Sequence, residues 1–410
     1  MEKIKIEDFN YHLPSEKIAL FPHSQRENSK LLIFKNQHIS EDSFIHISHY
    51  LPKDTALVFN NTKVIHARMM LQKPTGAFIE IFCLKPVEPN LLHEKTLAAT
   101  ENCVWECLIG NNKRFKEDLI TEHSLGNEKI TLTTKRLQKE VGNTYRVMFS
   151  WTPAHYSFSE VLEAVGKVPL PPYIKRSTVP EDAERYQTVY ATEKGSVAAP
   201  TAGLHFTEAI LQDLKQKNIP LEYITLHVGA GTFKPVSEEF VHKHTMHEEA
   251  LFFTKQNIEN LLNILDKRIV CVGTTTVRSL ESLYWMGVKL YHYQQEGICV
   301  DDACFHLSQW EAYQTWTVNE LPPRIALQTL LGYLEKNKLD YFYASTQLMI
   351  VPQCYKLRLV KGIITNFHQP QSTLLLLIAA FVGDQWKDIY TYALQHNFRF
   401  LSYGDACLFL

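Results

Sequence analysis

Apolar positions along the 410-residue chain fall into two textures. Between about residues 67 and 150 they come in short runs, Ala77–Phe82, Val104–Ile109, Lys129–Thr134 and Thr144–Phe149, with turn residues between them at near-regular intervals. Short alternating or Thr/Val/aromatic-rich runs broken by turns predict a small β-barrel or sandwich. Elsewhere strand-like runs alternate with helical ones. Lys30–Phe34, Ala56–Phe59, Leu221–Val228, Arg268–Val272 and Leu357–Phe367 read as strands. Ile258, Leu261, Leu262 and Leu265 form an i, i+3, i+4, i+7 stripe, and a second amphipathic helix starts at Pro322 and runs to Lys336. Alternating strands and helices predict an α/β unit with parallel strands. The expected organisation is a large TIM-like α/β domain made of residues 1–66 and 151–410, with the small β-barrel of 67–150 inserted into it.

Three predicted strands run into polar turns. Leu221–Val228 carries His227 near its end and leads to Gly229, Gly231 and Thr232. Arg268–Val272 leads to Gly273, Thr274 and Thr275, and Arg278 follows in the helix that starts there. Leu357–Phe367 leads to His368, with Ser372 capping the next helix. Open α/β sheets bind ligands beyond the carboxyl ends of their strands, where glycine allows close backbone approach and helix amino ends offer N–H groups to anions. A loop of small residues, Ser196 to Thr207, carries Thr201, Gly203 and His205 and has the composition of a site lining. Gly229 and Gly231 lack a third glycine at dinucleotide spacing, so a nicotinamide-binding reading is rejected.

Composition narrows the picture in three places. The net charge of -2 advertises no nucleic acid, so any RNA contact must be local, and residues 67–150 carry only 12 Lys and Arg against 10 Asp and Glu. Eight cysteines without a C-x-x-C pair, in a chain large enough to need no disulfide framework, predict buried reduced thiols and a cytoplasmic protein. Leu374–Val382, the longest apolar run, is about half the length that spans a bilayer, so it is expected as a buried helix and no membrane association is expected. His242, His244 and His247 match neither H-E-x-x-H nor finger spacing, so no metal is expected.

Eleven segments then carry a resemblance. DFNYHLP at Asp8–Pro14, LVFNNTKVIHARM at Leu57–Met69 and TGAFIEIF at Thr75–Phe82 come first, followed by VPLPPYIKR at Val168–Arg176 and AERYQTVYA at Ala183–Ala191. GSVAAPTAGLHFT at Gly195–Thr207, TLHVGAGTFKPV at Thr225–Val236, MHEE at Met246–Glu249, VGTTTVRSLES at Val272–Ser282, TNFHQPQSTLL at Thr365–Leu375 and RFLSYGDACL at Arg399–Leu408 complete the set. Together and in order they resemble the S-adenosylmethionine:tRNA ribosyltransferase-isomerases of queuosine biosynthesis. The resemblance implies transfer and isomerisation of the ribosyl unit of S-adenosylmethionine onto 7-aminomethyl-7-deazaguanine in tRNA, giving epoxyqueuosine-tRNA, adenine and methionine. It implies tRNA and S-adenosylmethionine as partners, the latter as co-substrate, and no cofactor or metal; a monomer is expected.

That reaction starts with proton removal from the donor's 5′ carbon, next to the sulfonium. Histidine suits this near neutral pH. His205, His227, His247 and His368 all lie in matched motifs, with His205 and His227 the leading bases and no division of base from acid. Asp405 and Arg278 are expected at polar ends of the donor, Arg278 on its carboxylate. Thr201, Gly203, Gly229, Gly231, Thr232, Gly273, Thr274 and Thr275 are expected to hold the donor. Lys175, Arg176 and Arg185 are expected on tRNA phosphates, with Tyr173 or Tyr186 stacking on a base. Four positions depart from the family pattern: Asn61 for Asp, Lys63 for Arg, His66 for Pro and Gln369 for Leu. The segment near 291–345 is also longer than usual. Loss of the carboxylate at Asn61 motivates an alternative reading, a non-catalytic or altered-substrate paralogue that binds tRNA or a nucleotide.

Overall fold

The structure, a computed structural model, describes residues 4–140, 143–229, 236, 238–300, 302–314 and 321–410. Gly231 and Thr232 lie outside the described residues. Four strands form the parallel centre of a ten-stranded sheet, in the order Leu221–His227, Thr55–Asn60, Arg268–Val272, Gly362–Asn366. Ala406–Phe409 continues it antiparallel, followed by Lys30–Lys35 and the edge strand His38–Ser43. On the other side Glu249–Thr254 and Tyr341–Thr346 form an antiparallel wing that ends on the two-residue strand His306–Leu307.

Alternate residues of the central strands feed two apolar cores. Val58, Ile224, Ile269, Cys271 and Ile363 face one layer, which includes Val277, Leu280, Leu283, Leu376 and Ile389 from helices Thr274–Gln295, Thr373–Val382 and Trp386–Gln395. Leu57, Phe59, Val270, Val272 and Ile364 face the other, with Ile210, Leu211 and Leu214 of helix Glu208–Gln216. Burial on both faces explains why Thr55–Asn60, Arg268–Val272 and Gly362–Asn366 show no alternation of apolar and polar residues. The expected α/β unit with parallel strands is present. Its sheet is mixed and has two edges, where a TIM-like unit would have eight parallel strands closed on themselves; the antiparallel wing and the reversed strand Ala406–Phe409 interrupt the repeat.

Seven antiparallel strands form a second sheet, in the order Gly166–Lys167, Arg68–Gln72, Phe78–Glu88, Asn102–Gly110, Tyr145–Thr152, Glu128–Lys139, Leu119–Leu125. It curls until Leu119–Leu125 approaches Arg68–Gln72, without a hydrogen-bonded seam between them. Trp105, Phe149, Trp151 and Phe158 fill its own core. The long segment at 291–345 is not an appendage. It supplies His306–Leu307, helix Pro323–Asn337 packed on Thr274–Gln295, and the start of the wing strand Tyr341–Thr346. All eight cysteines are free; six are buried as expected, whereas Cys299 and Cys354 are exposed because each sits in a surface loop. Among the described residues no helix is long and apolar enough to cross a membrane.

Candidate active site

The carboxyl ends of the parallel strands open onto a cleft enclosing about 700 Å³ of empty space, part of it continuous with solvent. Three of the turns singled out in the sequence meet there: Val228, Val272–Thr276, and Thr365–Gln369 with Ser372. The small-residue loop closes one side with Ala199, Pro200, Thr201 and Ala202, and Tyr173, Leu401 and Ser402 close another. Gly273 has φ +95, a backbone conformation that a side chain would strain, and this bend lets helix Thr274–Gln295 start inside the cleft. Ser372 caps the other helix at the cleft by accepting from Leu375 N–H at 3.2 Å.

Of the four histidines, only His368 lines the cleft. Its Nε2 lies 2.9 Å from Thr365 Oγ1, and its backbone N–H donates to Tyr390 at 3.1 Å. Burial pushes its pKa down to about 3, so the ring is neutral at neutral pH. His205 is placed elsewhere. Its Nδ1 faces Ala202 O at 3.1 Å and its Nε2 faces Gly404 O at 3.0 Å, which ties the loop to the C-terminal segment and leaves neither nitrogen for a substrate. His227 meets Thr62 Oγ1 at 2.9 Å and packs against His93, ring centroids 4.5 Å apart. Burial lowers its pKa to about 4. His93 comes from the short helix His93–Leu97 of the second sheet unit, and nothing in its local sequence singled it out. His247 is exposed and outside the cleft. The two carboxylates of its motif turn to other partners, Glu248 to His306 at 3.3 Å and Glu249 to Arg278 at 3.3 Å.

Arg278 is therefore buried against Glu249 rather than open to a donor carboxylate. Asp405 does not reach the cleft either. Its two oxygens accept from Lys30 N–H at 3.0 Å and Arg399 N–H at 2.7 Å, with His23 and Arg399 side chains beside it. Among the expected donor residues, Thr201, Gly273, Thr274 and Thr275 line the cleft, whereas Gly203 and Gly229 do not. At Gly203 a Cβ would lie 1.9 Å from Tyr190 Oη, so this glycine serves close packing. The sequence reading missed Asn366, whose side chain is buried in the cleft wall. Thr201 Oγ1 donates to its Oδ1 at 2.8 Å, and its Nδ2 has no hydrogen-bond partner.

The expected phosphate contacts are mostly committed inside the protein. Arg176 grips both oxygens of Asp182 at 2.7 Å, donates to Leu20 O at 2.9 Å and covers the Phe21 ring at 4.0 Å. Arg185 donates to the carbonyls of Ser24 and His23. Lys175 is exposed. Tyr186 is fully buried against Tyr403, so it offers no face to an incoming base, whereas half-buried Tyr173 lines the cleft with its hydroxyl 2.5 Å from Ser402 Oγ. Asn61 is half-buried and accepts from Thr225 Oγ1 at 2.8 Å while donating to Thr192 Oγ1 at 3.1 Å. Its amide joins a strand end to the loop before Glu193–Ser196. Among the described residues no group of three or more His, Cys, Asp or Glu could hold a metal ion.

Comparison with known proteins agrees with the segments quoted above. The protein named S-adenosylmethionine:tRNA ribosyltransferase-isomerase in Sulfurihydrogenibium sp. is 35% identical over 99% of both chains. Proteins of the same name from Halothermothrix orenii and Thermotoga petrophila are 34% and 36% identical over 99% of this chain and 100% of their own. A crystal structure of S-adenosylmethionine tRNA ribosyltransferase from Thermotoga maritima is 25% identical, covering 98% of this chain and 100% of that one, with a TM-score of 0.45. Residues 6–409 match the family described as queuosine biosynthesis protein, and the chain belongs to that family.

Proposed function

We propose that this protein is an S-adenosylmethionine:tRNA ribosyltransferase-isomerase acting in queuosine biosynthesis. The observation that carries this reading is full-length similarity, at 34–36% identity, to proteins of that name. The acceptor is 7-aminomethyl-7-deazaguanine in tRNA, and the products are epoxyqueuosine-tRNA, adenine and methionine. S-adenosylmethionine is consumed as co-substrate, with no resident cofactor or metal. The protein works as a monomer in the cytoplasm, with residues 1–66 and 151–410 as its catalytic body and 67–150 as an inserted unit; a separate apolar core supports an inserted unit, although that core and its sheet continue past residue 150 through Phe158 and Gly166–Lys167.

His368 is the base that takes the proton from the 5′ carbon. It is the histidine at the cleft, and it is neutral before it acts, as a general base must be. When Nε2 carries the ring proton and donates to Thr365 Oγ1, the Nδ1 lone pair is left for the substrate. Adenine then departs from C1′, which takes up the acceptor amine; the C1′–O4′ bond opens as the 5′ carbon bonds to C1′, and the freed ring oxygen closes the epoxide on the 5′ carbon and expels neutral methionine. The test is incubation of the protein with S-adenosylmethionine and precursor tRNA. Adenine and methionine released in equal amounts, dependent on the tRNA, are expected. Donor binding without release of either product would favour the non-catalytic alternative.

A further inference from the structure

Two sets of donors without partners belong to residues that line the same cleft. Helix Thr274–Gln295 makes its first intrahelical bond from Val277 N–H to Gly273 O at 3.2 Å, so the N–H groups of Thr274, Thr275 and Thr276 precede the ladder. No side chain caps this end, whereas Ser372 caps the neighbouring helix at the cleft. Beside it stands Asn366, 3% exposed, with Nδ2 unpartnered. Thr201 Oγ1 holds its Oδ1, which fixes the amide with its donor side turned away from the loop. A buried N–H without a partner costs roughly 1–3 kcal/mol, and such groups in native proteins call for a ligand or another explanation.

The charge of the cleft says what that ligand is. None of its described lining residues is Asp, Glu, Lys or Arg. The positive end of a helix dipole and an amide N–H therefore supply the attraction for an anion there. Resting on the reading of S-adenosylmethionine as donor, we infer that the amino end of helix Thr274–Gln295 and Asn366 Nδ2 together bind the carboxylate of the donor's methionine arm. This is the role the sequence pattern suggested for Arg278, which the fold instead spends on Glu249. A tRNA phosphate is the other anion with the same hydrogen-bonding chemistry. The carboxylate is favoured because it belongs to the donor on which this reading rests, and because Asn366 is buried in the cleft wall rather than on the outer surface where a tRNA backbone would pass.

The test compares S-adenosylmethionine with its decarboxylated analogue by calorimetric titration of the full chain. The wild type should bind the analogue about tenfold or more weakly, the scale of a lost charge-assisted hydrogen bond. Asn366→Ala should weaken S-adenosylmethionine while leaving the analogue unchanged, and Asn366→Asp should weaken it further by placing like charges together. Thr201→Val, which only frees the amide to rotate, should give a smaller loss in the same direction and serves if the Asn366 variants do not fold. Equal wild-type affinity for donor and analogue would overturn the site. So would an Asn366→Ala variant that loses tRNA affinity but keeps its preference for the carboxylated donor, since that marks a phosphate site. A protein that discriminates the two donors as expected yet releases no adenine with precursor tRNA keeps the carboxylate site and loses the proposed reaction.

Discussion

Arg278 and Glu249 meet at 3.3 Å with side chains only 5% and 3% exposed. Removing one partner of a buried ion pair leaves an uncompensated charge and costs about 3–5 kcal/mol, whereas replacing both by apolar groups is often neutral. Arg278→Met is expected to lower the melting temperature sharply, and Arg278→Met combined with Glu249→Leu to recover much of it. Thermal unfolding of the three proteins decides this. Weaker donor binding by Arg278→Met at an unchanged melting temperature would return Arg278 to the donor.

Salt dependence should locate the tRNA surface. Each phosphate contact contributes roughly 0.7–0.9 to the slope of log affinity against log salt. Arg176 and Arg185 are tied to Asp182 and to backbone carbonyls, so Arg176→Gln and Arg185→Gln should destabilise the fold and leave that slope unchanged. Lys113, Arg114 and Lys116 are exposed on the second sheet unit. Their joint replacement by alanine should flatten the slope. A reduced slope in Arg176→Gln alone would show that its pairing opens on tRNA binding.

Acid should weaken the protein through its buried imidazoles. Burial holds His227 near 4 and His368 near 3, both below the unfolded value of 6.5. The folded state therefore binds fewer protons than the unfolded one in this range. The stabilisation is complete above the unfolded pKa and is lost as pH falls toward the folded values, by at most about 1.4 kcal/mol per pH unit for each histidine. His93, lowered by burial and then by His227, adds to the effect. Urea unfolding from neutral to mildly acidic pH should show this loss, and His227→Gln should reduce its steepness. A pH-independent midpoint would mean that these rings gain partners when charged.

Proton abstraction separates His368 from the other histidines. With the donor deuterated at the 5′ carbon, His368→Ala should bind donor yet neither exchange label nor release adenine. His205→Ala should lower stability, because a buried ring that sits between the Ala202 and Gly404 carbonyls, and donates to one of them, is lost, while a folded fraction retains the chemistry. The opposite pattern would move the base to His205 and require the loop to rearrange around the donor.

Replacing Asn61 with Asp is expected to leave turnover unchanged and to lower stability slightly. Both ends of the amide are already used, by Thr225 and Thr192, and a carboxylate must ask Thr192 to reverse its hydroxyl. Steady-state adenine release measures the first effect and thermal unfolding the second. A rise in turnover would show that the position acts on the substrate.

Local pattern located the elements well and the partners of charged groups poorly. Arg268–Val272 was legible to the residue because both its faces are apolar, and Ser372 was legible as a cap because capping is local chemistry. The predicted strand Leu357–Phe367 begins only at Gly362. Residues 358–360 instead present their N–H groups to the buried carboxylate of Glu281, more than seventy positions earlier. Separation along the chain likewise hides Arg278 from Glu249 and His93 from His227. Basic and aromatic residues in a motif looked available for RNA because a side chain's exposure is decided by elements far from it. The cleft itself was readable since it assembles from turns that follow strands, a placement set by parallel topology.

The two margins of the ten-stranded sheet differ from its centre in a way that bears on solubility. One ends in His38–Ser43, whose sequence HISEDS puts Glu41 and Asp42 on the open edge, and the other in a strand only two residues long. An unpaired strand is a template for another chain, and charge or brevity blunts it. The apolar parallel strands, which would aggregate if they stood at a margin, are thus reached only after the guarding strands have been stripped away. Concentrated protein should accordingly stay dispersed until the wing or the His38–Ser43 hairpin opens.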